Sequence, residues 1–283
     1  VEKLHSGVEA IGLGNLDYAL AIKTNDELQD LAEGLNMMRE RLRKTREKDK
    51  ELVKLKSEFV RISAHQLRTP LASIKWGLNH LLSGDAGELN EQQRSLITKE
   101  FRVVENATRL VGNLLDVAHM EEGETTTRHF GKVRLEEVID KSVDKMRDLA
   151  QEKHITLVWE KPKAKLPQVE GDFQRLEMVM DNLLDNAMRY TLKDGLVEAS
   201  LVPSGAFLQV AIRDTGIGVA AEEIPRLFTK FFRGRRAMLL ETDGNGLGLF
   251  IVKNIVEQHR GKTWFKSREG HGSTFFFTIP IGR

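Results

Sequence analysis

The chain has 283 residues, 40% hydrophobic and 30% charged, with a formal net charge of +1 and no cysteine. This is enough chain for two or more domains with real cores, and the missing cysteine excludes disulfides, thiolate nucleophiles and sulfur-ligated metals, which suits a reducing cytosol. Basic and acidic residues are interspersed, so no massed charge draws the chain to nucleic acid. No apolar run approaches the roughly 20 residues of a membrane-spanning helix, and no signal-peptide pattern is present. A chain that opens at Val1 is expected to be a fragment or a processed product.

Residues 1–18 read as a short amphipathic opening, followed by the punctuated stretch Gly12-Leu13-Gly14-Asn15 and an extended segment over 18–22. Thr24-Asn25-Asp26-Glu27 then supplies N-cap chemistry for a helix in which Leu28, Leu31, Leu35, Met38 and Leu42 alternate by three and four. The pattern predicts two helices joined by an extended connector. Through the connector glycine, the Asp26-Glu27 pair and Leu35-Asn36-Met37-Met38, this part resembles the HAMP domain, a parallel four-helix relay found just inside the membrane in sensor proteins. It departs from that family in lacking the usual proline of the first helix.

Residues 39–56 are too charged for a globular core and read as a coiled coil. Two three-residue steps meet at Leu52, a deletion from the heptad that overwinds a coil locally. A register-switching seam and a plain solvated connector helix both fit. Over 59–82 the apolar residues Phe59, Ile62, Leu71, Ile74, Leu78 and Leu81 recur at helical spacing, which predicts a buried face. His65 sits at the edge of that face. Pro70 cannot donate to the carbonyl of Gln66, so the backbone is expected to loosen beside the histidine. That arrangement suits a mobile nucleophile, or simply a histidine at the rim of a core with a tolerated kink.

A glycine-containing loop at 83–88 leads to a second long helix over 90–121, with Val103, Ala107, Leu110, Leu114 and Val117 on one stripe. A hairpin with one apolar stripe per helix needs a partner, and two copies would close a four-helix bundle. Residues 121–127 read as a linker. From about Arg128 helices are predicted at 135–153, 173–190 and 247–258. Strands are predicted at 155–159, 196–202, 207–212, 262–267 and 274–279, with a turn at Pro203-Ser204-Gly205. Helices beside a mostly antiparallel sheet make an α/β sandwich.

Three patterns in this part carry chemistry. The helix Asp181-Asn182-Leu183-Leu184-Asp185-Asn186-Ala187-Met188-Arg189-Tyr190 aligns Asn182, Asn186 and Arg189 on one face, two amide oxygens and a guanidinium that suit a hard cation sharing phosphate oxygens. Asp214-Thr215-Gly216-Ile217-Gly218 ends a strand in a carboxylate able to accept from an exocyclic amine, beside glycines that would let backbone approach a flat ring. Gly244-Asn245-Gly246-Leu247-Gly248-Leu249 opens a helix whose free N–H groups suit phosphate. Neither glycine run has P-loop or Rossmann spacing.

Taken together, Ser63-Ala64-His65-Gln66-Leu67-Arg68-Thr69-Pro70-Leu71, the asparagine helix, both glycine runs and Leu227-Phe228-Thr229-Lys230-Phe231-Phe232-Arg233 resemble, in family order, the boxes of sensor histidine kinases. The resemblance implies a Bergerat-type ATP-binding domain over 128–283, a dimerising phosphoacceptor hairpin with its coiled-coil linker over 46–125, and a HAMP-like relay over 1–45. It implies that His65 accepts phosphate and that Asn186, helped by Asn182, holds Mg²⁺. By the same resemblance Arg189 reaches the phosphates, with Tyr190 following it at the usual place. Asp214 contacts adenine beside Gly216 and Gly218, and Arg233 assists the γ-phosphate of ATP. Gly244, Gly246 and Gly248 hinge a lid over about 233–245.

The implied partners are a second copy of the chain and a response-regulator receiver domain. The implied setting is the cytoplasmic portion of an inner-membrane sensor, attached through segments outside this chain. One departure matters: Gln66 stands where the family usually has an acidic residue thought to take the imidazole proton. A glutamine orients the ring but cannot take a proton, so a slower autokinase is expected. Thr69, one turn on, matches a position the family uses to place water in dephosphorylation; bonding its hydroxyl to backbone is the plainer role. Two alternatives stand beside the kinase: a weak scaffold or phosphatase, and a Bergerat-fold ATPase.

Overall fold

The structure, a computed structural model, describes residues 2–22, 27–121, 130–241 and 244–282. The expected N-cap at Thr24 to Asp26, nearly all of the 121–127 linker, and Thr242 and Asp243 of the expected lid lie outside these residues. The chain divides into two units, residues 1–63 and 64–283.

In the first unit, helix α1 (Glu2–Gly12) leads into the connector, and α2 (Glu27–Ser83) begins after it. The connector is held by a bolt from α2. Asn36 Oδ1 accepts from the Leu20 N–H at 3.0 Å while its Nδ2 donates to the Leu20 carbonyl at 2.7 Å. Both main-chain groups of one residue are thereby satisfied, and Leu20 is buried against Ala32 with Leu28 and Leu35 beside it. Gly7 has no Cβ because the Leu20 side chain occupies its place, 2.3 Å away.

Helix α2 continues through Pro70 without a break. Its predicted buried face is only partly covered within one chain: Leu71, Leu78 and Leu81 are half-buried, whereas Phe59 is 71% exposed, Ile62 54% and Ile74 50%. The periodicity is real; what it lacks here is a second surface. Helix α3 (Glu91–Glu121) starts on a capping box, in which Asn90 Oδ1 accepts from the Gln93 N–H at 2.8 Å and Gln93 Oε1 from the Asn90 N–H at 3.0 Å. On α3 the expected stripe divides: Val103 and Leu110 are exposed in a single chain, whereas Val117 is buried with Leu114 packed beside it. Val104, Val111 and Ala118, next to that stripe, are buried as well.

The α/β part follows as β1 (Gly131–Val133), α4 (Leu135–Glu152), β2 (Thr156–Trp159), β3 (Val169–Gly171), α5 (Phe173–Tyr190), β4 (Leu196–Ser204) and β5 (Phe207–Asp214). A 3₁₀ turn (Ala221–Arg226), α6 (Arg235–Leu240), α7 (Gly248–Gln258), β6 (Thr263–Arg268) and β7 (Gly272–Pro280) complete it. The main sheet runs β2-β4-β5-β7-β6, parallel only at β2-β4. A small antiparallel pair, β1-β3, stands apart. Alternate residues of the long strands, Val197, Ala199 and Leu201 on β4, Leu208, Val210 and Ile212 on β5, and Phe275, Phe277 and Ile279 on β7, share one buried cluster with α4, α5 and α7. This is the expected sandwich. The short β1, β3, 3₁₀ turn and α6 are additions to it.

Helix α3 meets the α/β part along a seven-residue stripe. Arg102 pairs with Glu152 at 3.3 Å and Arg109 with Asp185 at 2.7 Å. Asp116, seven residues further, faces Arg175; burial pushes its carboxyl above the ordinary range against the pull of Arg175, His119 and Arg68. Val117 joins the α/β core, with Leu114 packed against it.

Candidate functional site

The site is built from the C-terminal half of α5, the ends of β5 and β7, and the glycine run ahead of α7. Asp172 caps α5 by accepting from the N–H groups of Gln174 and Arg175, which fixes the start of the helix and hence the phase of its asparagine face. Asn182 turns its Nδ2 back to the Met178 carbonyl at 2.8 Å, so its oxygen points away from its own helix backbone. That oxygen lies 2.7 Å from where a Cβ on Gly248 would stand. A side chain at the first residue of α7 would therefore push the Asn182 amide out of this position. Asn186, one turn later, is half-buried.

Asp214 is buried at the end of β5, and its Oδ1 accepts from the N–H groups of Gly216 at 2.9 Å and Ser273 at 3.2 Å. Burial raises its pKa, with these two hydrogen bonds acting in the opposite direction. From the sequence, Gly216 and Gly218 are expected to leave room for a flat ring. The structure gives a nearer reason: a Cβ on Gly216 would stand 2.2 Å from the Tyr190 carbonyl oxygen, and one on Gly218 2.1 Å from that of Arg268. They are sites of backbone crossing, and the crossings set where Asp214 sits.

The two arginines lie against the C-terminal end of α6. Arg189 donates from Nε to Asp185 at 2.8 Å, and its Nη1 is 3.6 Å from the Glu241 carboxylate. Burial works against its charge, but the Asp185 carboxylate, with Glu241 behind it, more than offsets this and holds the pKa above the ordinary arginine value. Arg233 donates from Nη2 to the main-chain carbonyls of Ala237, at 3.3 Å, and Glu241. It also hydrogen-bonds the Tyr190 hydroxyl, whose pKa is raised mainly by burial. A Cβ on Gly244 would stand 3.1 Å from the Arg233 guanidinium, and one on Gly246, which has φ +67°, 2.6 Å from the Phe231 carbonyl carbon. The phenylalanine segment is fixed by Phe228 edge-on to Phe265 at 5.8 Å and Lys230 over the Phe250 ring at 4.8 Å.

The structure thus brings together Asn182, Asn186, Arg189, Tyr190, Arg233, Asp214 and the glycines of both runs. His65, Gln66 and Thr69 lie exposed on α2. Sequence reasoning missed Asp185, Glu241 and Ser273. Asp185 stands inside the asparagine motif and Ser273 follows a glycine turn, so both were within sight; nothing in the local pattern marks Glu241.

Residues 1–44 match the HAMP domain family, 55–123 the His Kinase A (phospho-acceptor) domain, and 171–283 the histidine kinase-, DNA gyrase B- and HSP90-like ATPase family. The sensor protein kinase WalK of Staphylococcus saprophyticus is 35% identical over 228 residues, 79% of this chain and 36% of that protein. The chain belongs to the sensor histidine kinases. Among further relatives of this histidine kinase region, the adaptive-response sensory kinase SasA of Crocosphaera subtropica is 31% identical over 86% of the chain and 64% of its own length. The non-motile and phage-resistance protein of Caulobacter vibrioides is 31% identical over 92% and 33%. The kinase region therefore spans about one third to two thirds of these relatives. Among solved structures, full-length ShkA in complex with AMPPNP superposes with a TM-score of 0.59 at 27% identity, over 80% of this chain and 46% of that one. No helix among the described residues is long and apolar enough to cross a membrane.

Proposed function

We propose that this region takes the γ-phosphoryl group of Mg-ATP onto His65 and passes it to an aspartate of a response-regulator receiver domain. It acts as a homodimer in the cytoplasmic portion of an inner-membrane sensor. The proposed domains are a relay over 1–45, the linker and phosphotransfer hairpin over 46–125, and the ATP-binding domain over 128–283. One observation carries the reading: the Asn182 oxygen meets the N-terminus of α7 while Arg189 and Arg233 close the same side of the site, in a chain that also carries a phosphoacceptor-type helix with an exposed histidine.

The residues fit a magnesium-bound triphosphate. An oxygen ligand from Asn186, seconded by Asn182, suits a cation that keeps most of its shell for water and phosphate. Mg²⁺, when bound, supplies neutralisation of phosphate charge. The chain's own part is positioning: Asp214 accepts from the adenine amine, the α7 entry around Gly244, Gly246 and Gly248 cradles phosphate, and Arg189 and Arg233 offset charge on the transferring group. A neutral imidazole nitrogen of His65 forms the N–P bond as the bond to the bridging oxygen breaks, and ADP carries that oxygen away. Gln66 orients the ring by accepting a hydrogen bond, and the ring proton passes to solvent.

The test is incubation of the chain and of His65→Ala with γ-labelled ATP and Mg²⁺. Acid-labile label on the first and none on the second is expected; equal label on both would overturn the reading. Gln66 supports a second reading, a phosphatase or scaffold in which Thr69 positions water, and tight ATP binding without label would favour it. Steady ADP production without any phosphoprotein would instead favour an ATPase.

A further inference from the structure

Both cations assigned to the phosphates converge on one lid residue. Glu241 closes α6, its N–H donating to the Ala237 carbonyl at 3.1 Å. Its main-chain carbonyl accepts from Arg233, and its carboxylate lies 3.6 Å from Arg189 Nη1. The two side chains come to it from different elements, one from the end of α5 and one from the segment following the 3₁₀ turn. Asp185 is a different kind of partner. It sits one helical turn before Arg189 and binds Nε, so it can hold the arginine's stem in place whatever the terminal nitrogens do. The terminal nitrogens are the groups a phosphate would take, and Nη1 of the two lies toward the Glu241 carboxylate.

A carboxylate and a phosphate offer an arginine the same chemistry, anionic oxygens accepting charge-assisted hydrogen bonds. One terminal nitrogen cannot satisfy both at full strength, and two neighbouring anions repel. Resting on the reading of Arg189 and Arg233 as phosphate contacts, we propose that Glu241 is an internal competitor of the nucleotide phosphates, an affinity-setting residue that an incoming polyphosphate displaces. Its displacement loosens the α6 end from both arginines at once, so phosphate binding and release of this segment are coupled. The effect belongs to the phosphates alone. A ligand with the adenine ring and no phosphate leaves the Glu241 contact in place.

Calorimetry on the full chain with Mg-ATP and with adenosine tests this, using Glu241→Gln, Arg189→Ala and the double variant. Glutamine keeps the length and the main-chain carbonyl while removing the charge. Glu241→Gln should bind Mg-ATP ~2- to 5-fold more tightly, the scale of a partly exposed ion pair, and adenosine unchanged. In the Arg189→Ala background the gain should shrink. Unchanged or weaker Mg-ATP binding by Glu241→Gln, an equal gain for adenosine, or a gain undiminished without Arg189 would each overturn the proposal. Arg189→Ala separates the two levels: if it binds Mg-ATP like the parent chain, the phosphate reading falls and this proposal with it. If it binds more weakly while Glu241→Gln changes nothing, only the proposal falls.

Discussion

Two residues set how fast and how selectively the site would work. Gln66 follows His65, the proposed phosphoacceptor, where a proton acceptor would be useful, and general-base assistance contributes up to several orders of magnitude elsewhere. Gln66→Glu is expected to speed phosphohistidine formation by ~10-fold or more, as followed by single-turnover labelling; an unchanged or lower rate would remove this account of Gln66. Asp214 carries the opposite trade. Burial raises its pKa above that of the unfolded chain, so the native state binds the extra proton, and ionising the group at neutral pH costs stability. The cost is relieved as pH falls through the raised pKa toward the unfolded value. Asp214→Asn keeps an oxygen for the Gly216 and Ser273 N–H groups but presents an amide donor to the adenine amine. Thermal melts should show it at least as stable as the parent at pH 7, with the advantage fading in acid, while Mg-ATP affinity drops ~10-fold or more.

At the scale of elements, the glycine runs show the difference between a turn and a crossing. Gly205 and Gly218 share nearly the same backbone, φ +62° and +63°, but nothing lies within 4 Å of a Cβ at Gly205, whereas one at Gly218 would stand 2.1 Å from the Arg268 carbonyl oxygen. Gly205→Ala should therefore cost ~1 kcal/mol, the left-handed backbone alone. Gly218→Ala should cost ~2–4 kcal/mol, because neighbouring backbone must also shift. Denaturant midpoints of the two variants compare these, and equal losses would show that the crossing at Gly218 relaxes freely. The same contrast explains what the sequence made legible. Helix α5 was readable to the residue because its cap, apolar period and end coincide, and the asparagine face came with it. The short β1, β3 and α6 have too few residues for a period to register. The hairpin turn falls later than Pro203 because β4 stays paired with β5 through that proline, with Pro203 opposite Leu208 and Ser204 opposite Phe207. Glu241 was invisible for a different reason: its partners are 52 and 8 residues away, and one of the two contacts is made by its main chain.

For the whole molecule, the faces left open are as informative as the core. The α2 stripe through Phe59, Ile62 and Ile74 follows a buried-helix period yet is half or more exposed in a single chain, which supports a second copy as its cover. Ile74→Asp should shift the chain from dimer to monomer in sedimentation at micromolar concentration; a dimer of unchanged affinity would show that the seam runs elsewhere. The divided stripe of α3 has a related origin. Its charged residues Arg102, Arg109 and Asp116 are committed to the α/β part, so the helix serves more than one neighbour and a single apolar count does not assign all its faces. The sheet order holds one more consequence. Strand β7 follows every other strand in the chain, yet it lies between β5 and β6. During synthesis β5 can zip to β4 at once, but the backbone N–H and C=O groups of its other edge must wait for Gly272–Pro280 to emerge. The nascent domain therefore passes through an open-edged intermediate, the stage at which a stray strand from another chain competes best, and closes only when its last strand arrives.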